Sequence, residues 1–127
     1  MTIARLATVC ALFVCVCVGS ARTARTMEVP PLYRIPPGAR QLCSEHVTGT
    51  TAHITWTSFA VRQTVPQVRA FYEGLGLRFT VGGEGSVTHA PDPDHRLEVF
   101  RASGTYPSCE ERPLPTERAV IVRSRRS

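Results

Sequence analysis

The side chains of this 127-residue chain that could do chemistry are its histidines and two of its cysteines. His46, His53, His89 and His95 come with Asp92, Asp94 and Glu98 close to the last two. Imidazole together with carboxylate suits a divalent transition metal. His53 and Glu98 are the pair to consider, because each alternates with apolar neighbours in a strand-like segment, Ile54 and Trp56 in one and Leu97 and Val99 in the other. Both are expected to leave the sheet on the side away from the helix. That side of a one-layer antiparallel sheet is wet, and polar residues belong there without any ligand. No zinc-type spacing accompanies them, so no cofactor is expected, with a divalent transition metal at His53 and Glu98 as the alternative.

Other nucleophiles carry less. Ser44-Glu45-His46 sets a serine beside a histidine, but a triad is a spatial arrangement and no nucleophile elbow surrounds this serine. Gly82-Gly83-Glu84-Gly85 lacks the spacing and the following helix of a phosphate loop and reads as a hairpin turn. No catalytic residue is assigned.

The cysteines point to a compartment. Of five, Cys10, Cys15 and Cys17 lie in an N-terminal apolar run, Leu6 to Val18, that follows Arg5 and ends at the small residues Gly19-Ser20-Ala21. That is the pattern of a cleaved signal peptide, expected over 1–20, and the run is short for a bilayer span of ~20 residues. Lipidation at Cys15 or Cys17 is disfavoured by the bulk of Val14 and Val16. The chain is therefore expected to be exported, to the periplasm, the cell surface or the medium. Cys43 and Cys109 remain, and an even pair in an oxidising compartment favours a disulfide.

The elements that must position these residues are few. Thr64 to Gly76 reads as the one helix. Thr64 and Gln67 can form a capping box, Pro66 suits the first turn, and Val65, Val68, Phe71, Tyr72 and Leu75 make an apolar stripe. Gly74 and Gly76 supply the stop, one of them in a left-handed conformation. Residues 21–34 read as an extended, proline-rich lead-in. Strands are expected over 52–61, 77–81, 86–89, 95–102 and 118–123, with a bulge near Ser58, where the alternation slips. Ile54, Trp56, Leu97, Val99 and the run Val120–Val122 are the expected sheet face under the helix, and Trp56, Phe59, Phe79, Phe100 and Tyr106 are expected to serve core packing. The fold class is α+β, one helix on a small antiparallel sheet, as a single domain over 35–123.

The net charge of +5 comes from fifteen arginines and no lysine against ten acidic residues. The arginines are scattered, without the basic stripe interleaved with aromatics that a nucleic-acid surface needs. Ser124 to Ser127 reads as a solvated basic tail.

Two resemblances follow from these residues. Ile35-Pro36-Pro37-Gly38-Ala39-Arg40, then a strand, then Thr64 to Glu73, resembles a broad set of small exported bacterial proteins of uncharacterised function. That resemblance implies an envelope or secreted location, an α+β fold and an unknown envelope or extracellular partner, with a binding or structural role rather than catalysis. His53-Ile54 followed by Val68 to Leu77 is similar to one βαβββ module of the vicinal oxygen chelate (glyoxalase) superfamily. The second resemblance implies a dimeric metal-dependent enzyme, with His53 and Glu98 as ligands and a second copy completing the metal cup.

Overall fold

The computed structural model describes residues 19, 29–103 and 109–127. The expected signal segment apart from Gly19, with Cys10, Cys15 and Cys17, the first part of the lead-in and Tyr106 lie outside the described residues.

The helix forms where its signals are densest. Helix α1 spans Val65–Glu73, and its capping box is complete: the Thr64 hydroxyl accepts from the Gln67 N–H at 3.4 Å, and the Gln67 side-chain oxygen accepts from the Thr64 N–H at 2.9 Å. Val68 and Tyr72 are fully buried beneath it. Gly74 keeps right-handed helical angles, and the left-handed residue is Gly76, at φ +90°. There glycine avoids the Cβ clash that other residues meet.

Six strands form one antiparallel sheet: β1 (Arg40–Thr48), β2 (His53–Val61), β3 (Thr80–Val81), β4 (Val87–Asp92), β5 (His95–Arg101) and β6 (Ala119–Arg126). Their order is β1-β2-β6-β5-β4-β3, so the last strand inserts between β2 and β5. The fold is α+β, with strands outweighing the single α-helix among the described residues. Short 3-10 turns at Pro31–Tyr33 and Gly83–Gly85 complete it.

Several expectations change here. Arg40–Thr48 is a full strand where the sequence predicts none before residue 52, while 77–81 narrows to Thr80–Val81. Strand β6 runs on to Arg126, so Ser124, Arg125 and Arg126 belong to the sheet rather than to a tail. No bulge interrupts β2 against β6, whose register runs unbroken from Ile54↔Arg126 to Val61↔Ala119. The irregularity lies in β1 instead, between Gln41 and Cys43.

The change of apolar parity along β2 has a different cause from a bulge: both faces of the sheet are covered. Phe59, Val61, Leu97, Val99, Ala119 and Ile121 pack under α1 with Val68 and Tyr72. Leu42, Ala60, Cys109, Val120 and Val122 form a second cluster, with Trp56, Cys43 and Phe100 against it. Trp56, Val120 and Val122 therefore sit opposite the face expected for them. Ile54 is 40% exposed and Val47, its cross-strand partner, 52% exposed. The side away from the helix is wet only beyond the second cluster.

Candidate functional site

Edge strand β1 is tied to the segment that leads into β6 at two places. Cys43 and Cys109, 66 positions apart, sit at disulfide distance with their Cα atoms 6.0 Å apart, and Cys109 is buried. The Ser58 hydroxyl, fully buried, lies 3.4 Å from the Cys43 sulfur and 3.3 Å from that of Cys109. The second tie is ionic. Arg40 Nη2 donates to Glu117 Oε1 at 2.7 Å and to the Arg112 carbonyl at 2.9 Å, and Arg40 Nη1 donates to Glu111 Oε2 at 3.1 Å. The Leu114 N–H also donates to Glu117, at 2.7 Å. The hydrogen bond from Arg40 is the main reason that the Glu117 carboxyl is held below its ordinary range, against the opposing effect of burial.

Beside this clamp opens a groove of about 720 Å³, lined by Thr64, Val65 and Pro66 at the start of α1, by Glu84 and Gly85, and by Arg101, Ala102, Glu117 and Arg118. Its volume lies within the range of small-ligand sites, roughly 300–1,000 Å³. Glu84 reaches the rim from a left-handed backbone, φ +56°, a conformation that costs a non-glycine residue on the order of 1–3 kcal/mol. Glu117 is committed to Arg40 and Leu114, so the other charged residues that line the groove are Arg101, Arg118 and Glu84. Such a surface can bind and orient a ligand that carries charge. No imidazole, thiol or hydroxyl nucleophile with an adjacent base lines it.

The structure does not bring His53 and Glu98 together. His53 has the parity of Phe59 and Val61, on the helix side, whereas Glu98 lies between the buried Leu97 and Val99 and faces the other way. Strand β6 also runs between their strands. Glu98 accepts from Arg96 Nε at 2.7 Å. The expectation that both leave the same face fails because β2 keeps its alternation through Ser58.

His53 meets His46 instead. Their rings stack with centroids 5.7 Å apart and 11° between planes. Both lie on the helix-side face beyond the helix's reach, where the cross-strand row His46, Thr55, Arg125, His95 runs over four strands. Arg123, one row nearer the helix, lies over the Tyr33 ring at 5.2 Å and donates to the Tyr33 carbonyl at 2.9 Å. His95 bonds Asp92 at 2.9 Å, and this bond is the first cause of the lowered pKa of the Asp92 carboxyl. The signal for the His46–His53 pair is visible in hindsight: His46-Val47-Thr48 and His53-Ile54-Thr55 repeat one pattern on the two sides of a short turn. Among the described residues, no group of three or more His, Cys, Asp or Glu side chains is placed to hold a metal ion, and no helix is long and apolar enough to cross a membrane.

Comparison with protein-family models, with curated proteins and with solved structures gives no match for this chain.

Proposed function

We propose that the chain is an exported envelope or secreted domain that acts by binding rather than by catalysis. The observation that carries this reading is the Cys43–Cys109 pair, set at bonding distance across 66 positions and half enclosed by the second core cluster. Such a pair is kept oxidised outside the cytosol. It anchors the loop that forms one wall of the groove, and the groove then serves as the ligand face. Arg101 and Arg118 favour a ligand with an anionic group, and Glu84 gives selectivity by repelling a purely anionic one at the rim.

Native mass spectrometry of the full chain, expressed in a bacterium with its export pathway intact, tests both halves. The exported product is expected to be cleaved near Gly19-Ser20-Ala21, to lack the two thiol hydrogens of Cys43 and Cys109, and to carry an adduct that Arg101→Glu removes. A full-length, reduced chain retained in the cytoplasm overturns the export. An adduct-free product, or an adduct unaffected by Arg101→Glu, overturns the groove as the ligand face.

A further inference from the structure

The β1–β2 hairpin carries an internal near-symmetry that neither the disulfide nor the groove uses. Each arm presents a histidine and a threonine two residues apart, and each histidine bonds the threonine of the other arm. His46 Nδ1 lies 2.8 Å from Thr55 Oγ1, and His53 Nδ1 lies 3.4 Å from Thr48 Oγ1. The two arms pair in continuous register here, His46 opposite Thr55 and Thr48 opposite His53. The histidines are therefore diagonal neighbours on one face, close enough for long side chains to interact, and their rings stack. Both are exposed.

From this geometry we infer that His46 and His53 form a surface site for a divalent transition metal, with Cu2+ as the best-fitting ion. In the tautomer where Nδ1–H donates to the threonine oxygen, each ring leaves its Nε2 lone pair directed to solvent. A ligating histidine commonly has such a partner on its other nitrogen, which fixes tautomer and orientation. The stacked rings must tilt toward each other for both lone pairs to reach one ion. The ring torsion of histidine is broad, and the longer 3.4 Å contact makes His53 the ring that swings.

Two imidazoles with water in the remaining positions suit copper first in the divalent series, ahead of nickel and zinc. Arg125 lies opposite Thr55, two strands from His46 but on the strand next to His53, to which it is a diagonal neighbour about 7–8 Å away. That is about one screening length in physiological salt, ~8 Å, and the exposed Arg125 side chain can keep its guanidinium in solvent, so its repulsion weakens the site without closing it. Glu45 lies between Ser44 and His46 and faces the other side. The site is independent of the groove and of His53–Glu98 ligation.

The test is a Cu2+ titration of the untagged, chelator-free full chain, followed calorimetrically and by electron paramagnetic resonance. The expected result is one saturable Cu2+ per chain with imidazole-nitrogen coupling in the spectrum. Either His46→Ala or His53→Ala is expected to abolish saturation at the same concentrations. Thr55→Val, which keeps both ligands but removes the partner of His46, is expected to weaken binding about tenfold. Circular dichroism of these exposed-site variants checks that the sheet is retained. His95→Ala and Glu98→Ala are expected to bind like the parent. Absence of saturable binding in the parent chain, binding that survives in His46→Ala and His53→Ala, or binding lost in His95→Ala or Glu98→Ala overturns the assignment.

Discussion

Glu117 shows how much one carboxylate can hold at the residue scale. Its side chain is only 5% exposed yet accepts from Arg40 and from the Leu114 N–H, which joins β1 to the segment before β6. Its folded pKa is depressed from an ordinary value of 4.5. The stability that follows is thus fully present above the unfolded carboxylate range and is lost as pH falls through the lower, folded value. Glu117→Gln is expected to cost ~1–3 kcal/mol at neutral pH, because Arg40 loses its charged acceptor in a nearly closed site, and to flatten the decline below about pH 4.5. Urea denaturation of both chains at neutral and acid pH checks this. An unchanged acid decline in the variant would place its origin elsewhere. Tyr72 works with the opposite sign. Its hydroxyl donates to the Arg34 carbonyl at 2.6 Å, and burial pushes its pKa up to about 12. The fold thus favours the neutral phenol, and that stability is present below an unfolded value near 10 and lost as pH rises toward 12. Tyr72→Phe is expected to cost ~1 kcal/mol and to weaken this alkaline decline, read by denaturation at neutral and alkaline pH.

At the scale of elements, what the sequence made legible and what it hid have separate physical causes. The helix was legible because its signals are local: Thr64, Pro66, Gln67 and the terminal glycines act within a few residues of one another. Thr64→Ala is expected to cost ~1 kcal/mol, measured by denaturant unfolding, since the cap satisfies an otherwise orphaned N–H. Strand β1 was hidden because it is an edge strand. Leu42 is its only buried residue, Arg40 and Cys43 are half-buried, and Ser44 to Thr48 are all exposed, which reads as loop. The parity of β2 was misread because one strand serves two cores: its C-terminal half is buried on both faces and its N-terminal half on neither. A period-2 pattern then gives way to a continuous apolar run, the mark of a strand covered on both sides. The His46–His53 pairing follows from β1. Once Arg40–Thr48 is a strand, the turn at 49–52 fixes which residues face each other.

For the whole molecule, the sheet separates two cores with different supports. The core under α1 holds the large buried side chains Tyr72, Leu97, Ile121, Val61, Val68 and Val99. The second is smaller and is roofed by the Cys109 loop, with Trp56, the chain's one tryptophan, at its margin. Closing 66 positions by a disulfide is worth ~4 kcal/mol in the chain-entropy model, a large share of the roughly 5–15 kcal/mol that stabilises a domain. Reduction therefore acts unequally on the two cores. The core under the helix keeps its own cover, whereas the second loses the covalent tie and retains the Arg40–Glu117 and Arg40–Glu111 bonds. A Cys43→Ser, Cys109→Ser double variant is expected to lower Tm by more than about 10 °C. At room temperature it is expected to shift Trp56 emission to the red as the roof loosens, while far-ultraviolet circular dichroism still reports helix and sheet. Loss of both signals together on heating, with no change in Trp56 emission beforehand, would mean that the two cores form one cooperative unit in which the disulfide supports the whole sheet equally.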